Sequence, residues 1–330
     1  MTEPTELEAL LTTALEGALD DSPASEMTRM QLRAGIVGDD PALIDLYERI
    51  AGPGQAEFDL HLEGPGVRGH STNAHYFSQF VSGISEAVKE TAKSIAGKGS
   101  YSENLLIDGV GPGSVRVVLR APEPVAPHKK DEEIDPLVPA STVDSEALRS
   151  IAAILSHASS EDEDNPLIAE LTRIPLRARV GLRRAAKSTN EAGWDIRGTI
   201  RQRNFGASDV SLTREGAFRL RQGLDAKVEN RADEVLPGYI DGFRRSLSTL
   251  YFQPENGGKI IQAAVTEPDT ATAISELFAD QDSLVEVVFD VISTYMPGDD
   301  TRPRRSRSVK SIRRLARGRQ LTLDAGADKS

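Results

Sequence analysis

Cysteine is missing from all 330 residues, which removes disulfides, thiolate metal sites, iron–sulfur clusters and a cysteine nucleophile together. Its absence suits a reducing compartment, so a cytoplasmic location is expected. Aromatic residues make up only 5% of the chain, too few for the rows of stacking platforms that single-stranded nucleic-acid binders use. No apolar run approaches the roughly 20 residues of a membrane-spanning helix. The first residues, MTEPTELEALLTTALEGALDD, are acidic where a secretory signal begins with positive charge, so neither a membrane partner nor export is expected. Also missing are a G-x-S-x-G nucleophile elbow, an H-E-x-x-H zinc motif and the kinase signature set. On these grounds no catalytic residue, cofactor or metal is assigned, and the chain is expected not to be an enzyme.

What is present is an uneven charge. Residues 1–165 hold 12 Lys/Arg against 29 Asp/Glu, and residues 166–330 hold 27 against 22, within a net charge of −12. A globally acidic chain is a poor general nucleic-acid binder, yet the second half can carry a local basic surface.

Hydrophobic periodicity predicts the elements. Leu7, Leu10, Leu11, Ala14, Leu15, Ala18 and Leu19 fall on one helical stripe, and a second helix follows Asp40 and Pro41. In AEFDLHLEG, Phe58, Leu60 and Leu62 alternate with charged residues, the period of a strand with one wet face. A helix over 73–96 follows, opened by Asn73 and closed by Gly97; NLLIDG and SVRVVLR then form a hairpin across VGPG. Five prolines between 122 and 139 mark a linker. Helical pattern returns over 142–190, with Pro175 interrupting it. From Trp194 onward short strands alternate with two helices, one opened by Thr213 and carrying Ala217, Leu220, Leu224 and Val228. Asn256-Gly257 turns between two strands, and LVEVVFDVIST reads as a central strand.

The fold expected is therefore α+β. N-terminal helices and a small antiparallel sheet domain (1–121) precede a Pro-rich linker (122–141) and a helical segment (142–190). A mixed β-sheet or barrel-like domain (191–323) and a tail (324–330) complete it.

Gly64-Pro-Gly66-Val-Arg-Gly69 matches the dinucleotide fingerprint in form. Its preceding strand alternates in polarity instead of running apolar, and a hairpin follows in place of a second βαβ unit, so a plain turn is the favoured reading. His61, His70 and His75 lie near Asp59, but an i, i+5 spacing across a loop-to-helix junction does not put two imidazoles on one face. The acidic runs at Asp131 to Glu133, Glu161 to Asp164 and Asp299-Asp300 have no apolar frame to separate their pKa values, so they read as solvated loops.

The feature with a functional slant is basic. Residues 302–319, RPRRSRSVKSIRRLARGR, carry nine Lys/Arg and no acid, and could form either a short amphipathic helix or a strand. Arg304, Arg305, Arg307, Lys310, Arg313, Arg314 and Arg317 are its candidate phosphate contacts. A second cluster comprises Arg173, Arg177, Arg179, Arg183, Arg184 and Lys187, of which Arg177 and Arg184 complete the candidate surface. The alternative is that these cations pair internally with the acidic first half.

Two segments resemble an arrangement in uncharacterised bacterial proteins of actinobacterial and phage type. They are FDLHLEGPGVRGHSTNAHYF with GVGPGSVRVVL, and GYIDGF with LVEVVFDV; the resemblance covers 55–121 and 235–315 and implies no activity. The leading expectation is a non-enzymatic binding or regulatory protein whose partner is a protein or a second copy of itself. The alternatives are a nucleic-acid binder using 302–319 and 173–187, and a nucleotide-dependent enzyme using the 64–69 loop.

Overall fold

The alternation of Phe58, Leu60 and Leu62 with Glu57, Asp59, His61 and Glu63 produces the middle strand of the first sheet. β1 (Glu57–Glu63) buries all three apolar residues completely and turns the charged ones to the other face. In the computed structural model, which describes residues 6–20, 22–97, 105–109, 115–124, 141–162, 165–226, 228–279, 283–296 and 299–315, two layers form around this strand and a barrel packs beside them. The Pro-rich linker from 125 to 140, Asp131 to Glu133, the VGPG turn and the tail lie outside the described residues.

Four helical pieces precede β1. They are α1 (Glu6–Glu16), α2 (Pro23–Leu32) with a π-helical turn at Arg33–Val37, and α3 (Pro41–Ala51). Asp40 caps α3 by accepting from the amides of Ala42 and Leu43, and Ser22 caps α2 through Ser25. Sequence periodicity did not predict α2, because Met27 and Met30 point into solvent and leave no buried stripe. Leu11, Leu15, Val37 and Leu43 form a small separate core.

The sheet continues with β4 (Leu106–Gly109) and β5 (Val115–Arg120), after a two-residue hairpin of β2 (Val67–Arg68) and β3 (Ser71–Thr72) and the long α4 (Ala74–Ala96). Then come α5 (Val143–Ser159), α6 (Leu167–Arg173) and α7 (Leu176–Ala192), the last two separated at Ile174-Pro175 as expected of proline. β6 (Asp195–Gln202) and β7 (Gly206–Leu212) were expected in the C-terminal domain. They instead complete the first sheet, which runs β4-β5-β1-β6-β7 and is antiparallel throughout. Register explains the difference: Ile196 and Ile200 of β6 sit opposite Leu62 and Phe58, extending one apolar face that α4, α5, α7 and α8 (Arg214–Asp225) share in burying.

α8 ends at Asp225, and Val228, expected as its last core position, starts β8 (Val228–Arg244). The remaining elements are β9 (Thr249–Pro254), β10 (Ile261–Ala264), α9 (Pro268–Phe278), β11 (Val285–Met296) and β12 (Asp299–Arg314). A 3-10 turn, Arg245–Leu247, links β8 to β9. Strands β10-β12-β11-β8-β9 close into a barrel, mixed because β10 and β12 run parallel. Phe252 and Phe289 meet edge to face in its core, at 5.5 Å between centroids, beside Val285, Val287 and Ile274 of α9. Residues 302–314 are therefore strand; the basic segment is a wall of the barrel, not a free amphipathic helix. Among the described residues no helix is long and apolar enough to cross a membrane.

Candidate functional site

Each sequence candidate has a place in this frame. In β12, Arg307 is buried and donates to Glu234 at 2.8 Å, Lys310 to Asp233 at 2.7 Å, and Arg313 to Glu286 at 2.7 Å. Arg305 and Arg314 are exposed and also engaged. Arg304 lies opposite Thr294 of β11, and Arg317 is outside the described residues. In α7, Arg184 pairs with Glu86 at 2.8 Å, and Arg177 is exposed. Internal pairing is thus present, but Arg307, Lys310 and Arg313 find these partners within the barrel, not in the acidic first half, because β11 pairs directly with β12 and β8 lies next beyond it. A phosphate approaching β12 would have to displace a carboxylate from each.

The glycine loop is shaped by packing. A Cβ on Gly66 would stand 1.8 Å from the Ala192 carbonyl oxygen and 3.0 Å from the Trp194 ring, so the loop lies directly on the end of α7. The fully buried Trp194 donates to Thr72 at 2.9 Å, and Thr72 donates to the Gly66 carbonyl at 2.9 Å. The first free amides of α4 go to Asn73, which accepts from His75 and Tyr76. His61 sits 3.5 Å from Asp59 on the wet face of β1, while His70 and His75 are exposed near the β2–β3 hairpin. Among the described residues no three His or acidic side chains are arranged to hold a metal.

One constellation escaped sequence reasoning because it comes from three distant segments. His157 of α5 has Nδ1 2.9 Å from Glu170 of α6 and Nε2 3.2 Å from the hydroxyl of Thr249 in β9. The order hydroxyl, imidazole, carboxylate is that of a nucleophile, base and orienting acid. However, Thr249 has no exposed surface and its hydroxyl also donates to the Leu247 carbonyl at 3.0 Å. The hydroxyl is enclosed, and the network joins the helical layer to the barrel. Ser306 of β12 acts similarly, accepting from the Ala169 amide and donating to the Asn165 carbonyl.

Two larger open clefts accompany a smaller one of about 210 Å³, which Glu170 lines together with Arg149, Arg173 and Leu247. The first, about 610 Å³ between α6 and the barrel, carries Arg173, Arg231 and Lys310, each bound to a carboxylate of Glu267, Asp290 or Asp233. Its charges cancel pair by pair.

The second cleft is about 590 Å³ and lies at the junction of sheet and barrel, lined by parts of α3, β7, the β8–β9 turn and α9. Its walls include Phe205, Phe243 and Phe278, with Arg49, Arg244, Arg245 and the hydroxyls of Ser208, Ser246 and Ser275. The β6–β7 turn that presents Phe205 is clamped to α3. The Asn204 amide donates to the Arg49 carbonyl at 2.8 Å, and any side chain at Gly206, where φ is +80°, would collide with Asp45. Arg149 stacks over Phe205 at 3.7 Å from the ring centroid. Burial pushes the Arg149 guanidinium down to about 10, and its Nε has no partner among the described residues. Ser208 and Ser246 hydrogen-bond to each other and tie β7 to the turn. Arg244 lies 5.5 Å over Tyr251, and neither it nor Arg245 is paired with a carboxylate among the described residues.

Comparison with protein-family models, curated proteins and solved structures gives no match. The resemblance drawn from the short glycine and strand motifs therefore stands without a supporting relative.

Proposed function

We propose that the chain is a non-enzymatic, cytoplasmic binding or regulatory protein and that its ligand site is the junction cleft. The observation carrying this reading is that cleft itself: aromatic walls and two arginines without carboxylate partners among the described residues converge where sheet and barrel meet. Clefts of roughly 300–1,000 Å³ at such boundaries, mostly apolar with a few placed polar groups, are the usual form of small-molecule sites. A ligand seated there touches both bodies, so its binding free energy stabilises their present arrangement, which is the physical basis for a regulatory role. The buried Thr249, the separated histidines and the packed glycine loop support binding over catalysis.

The nucleic-acid reading has weaker support, since Arg307, Lys310 and Arg313 already hold carboxylates. The glycine-loop enzyme reading has weaker support for the same kind of reason, its cradle being occupied by α7.

Equilibrium dialysis of the full chain against a bacterial small-molecule extract, read by mass spectrometry, tests the proposal. Retention of a compound unchanged, lost when Ser275→Phe fills the cleft, is the expected result. Consumption of a compound with a product appearing, or retention indifferent to Ser275→Phe, would contradict it.

A further inference from the structure

Resting on the reading of the junction cleft as a ligand site, we propose that its ligand is a planar ring compound bearing a phosphate or carboxylate. The ring lies against Phe205, Phe243 and Phe278, and the anionic group meets Arg244 and Arg245.

Charge selects the anion. Of the cations lining the cleft, Arg49 is held by Asp45 at 3.0 Å in an i, i+4 pair, whereas Arg244 and Arg245 face solvent. Asp209 is the other carboxylate on the rim; it accepts from Thr199 at 3.4 Å and is exposed, which suits a hydroxyl or ring N–H on the ligand more than a second anion. Guanidinium is the group best matched to a flat, two-oxygen anion, since its parallel N–H donors can bond both oxygens at once. Tyr251 beneath Arg244 limits its motion and lowers the ordering cost on binding.

Shape selects the ring. Phe205, Phe243 and Phe278 come from three separate elements and are each only partly buried, so all three offer ring surface to the cleft. Phe205 is braced from one side by Arg149 and held in place by the α3 clamp, which makes it a rigid contact. Neither competing feature combines these properties. Among the described residues the α6–barrel cleft has its cations neutralised in pairs and no aromatic wall, and the smaller cleft of about 210 Å³ that Glu170 of the His157 network lines has no aromatic wall either.

Isothermal titration of the full chain with phenyl phosphate and benzoate, alongside inorganic phosphate and benzyl alcohol, tests the ligand class. The aromatic anions should bind at least about tenfold more tightly than either fragment of the combination, and the tighter of the two identifies the anionic group as phosphate or carboxylate. The double variant Arg244→Ala/Arg245→Ala, at exposed positions, should weaken their binding about tenfold or more while leaving benzyl alcohol unchanged. Phe278→Leu should weaken both aromatic anions and benzyl alcohol but not inorganic phosphate.

Benzyl alcohol binding as tightly as phenyl phosphate, or aromatic-anion binding indifferent to loss of both arginines, overturns the proposal. If neither aromatic anion binds at millimolar concentration while dialysis still shows retention abolished by Ser275→Phe, the ligand class is wrong and the cleft reading stands. No binding together with no retention removes both.

Discussion

Asp59 illustrates how charge is used on the wet face of the sheet. Burial pushes its carboxyl up, but the Arg116 side chain, donating at 2.8 and 2.6 Å, outweighs this, with His61 and Arg201 adding to it, and holds it below the ordinary carboxylate range. A carboxylate with a depressed folded-state pKa stabilises the fold above its unfolded pKa, about 3.9, and that contribution disappears as pH falls through the folded value. Asp59→Asn should therefore cost about 1 kcal/mol at pH 7, the discount reflecting partial solvent screening. Urea denaturation at pH 7 and below pH 3 checks this: the gap between variant and parent should close in acid, and an equal gap at both pH values would show that the pair contributes through packing alone. His157 lies at the opposite extreme of environment, enclosed with Glu170 and Thr249. Its imidazole bridges a carboxylate and a fully buried hydroxyl.

Among the elements, α4 and α7 cross at backbone contact. A Cβ on Gly83 would stand 2.6 Å from the Gly181 carbonyl oxygen, and one on Gly181 would stand 2.6 Å from that of Gly83. Gly83→Ala or Gly181→Ala should each destabilise the protein by about 2–3 kcal/mol, since helix backbones must separate to admit the methyl. Thermal unfolding checks this, and an unchanged or raised Tm would mean the helices pack less closely than described. Sequence pattern made β1 and α4 legible because each buries a periodic face, β5 through the alternation of Val115, Val117 and Leu119 with arginines, and β11 through a near-continuous apolar run. β8 was missed for the opposite reason. Its first half is held by ion pairs of Arg231, Asp233 and Glu234 with β11 and β12, and Pro237 and Gly238 interrupt its alternation, so no period-two signal exists. The junction cleft was equally invisible: Phe205, Phe243 and Phe278 belong to separate elements, and only the closed barrel beside the sheet brings them to one hollow.

At the scale of the whole molecule, specific polar contacts join the two bodies, Gln262 of β10 to Asp162 among them. Others are His157 to Thr249, Ser306 to α6, Arg173 to Glu267 and Ser208 to Ser246. Leu247 and Ile292, though carried by the barrel side, are buried in the core of the sheet-and-helix layer. Along the N-terminal stripe Leu11, Leu15 and Ala18 are buried, whereas Leu7, Leu10 and Ala14 are exposed. The hollow between α3, β7, the β8–β9 turn and α9 is open and holds Arg244 and Arg245, which have no carboxylate partner among the described residues. Hydrogen exchange of the full chain, with and without a bacterial small-molecule extract, tests that claim most directly. The account predicts slowed exchange together in residues 41–49, 203–209, 243–246 and 268–278. No change in those segments, or slowing confined to β12 or to the 64–69 loop, would contradict it.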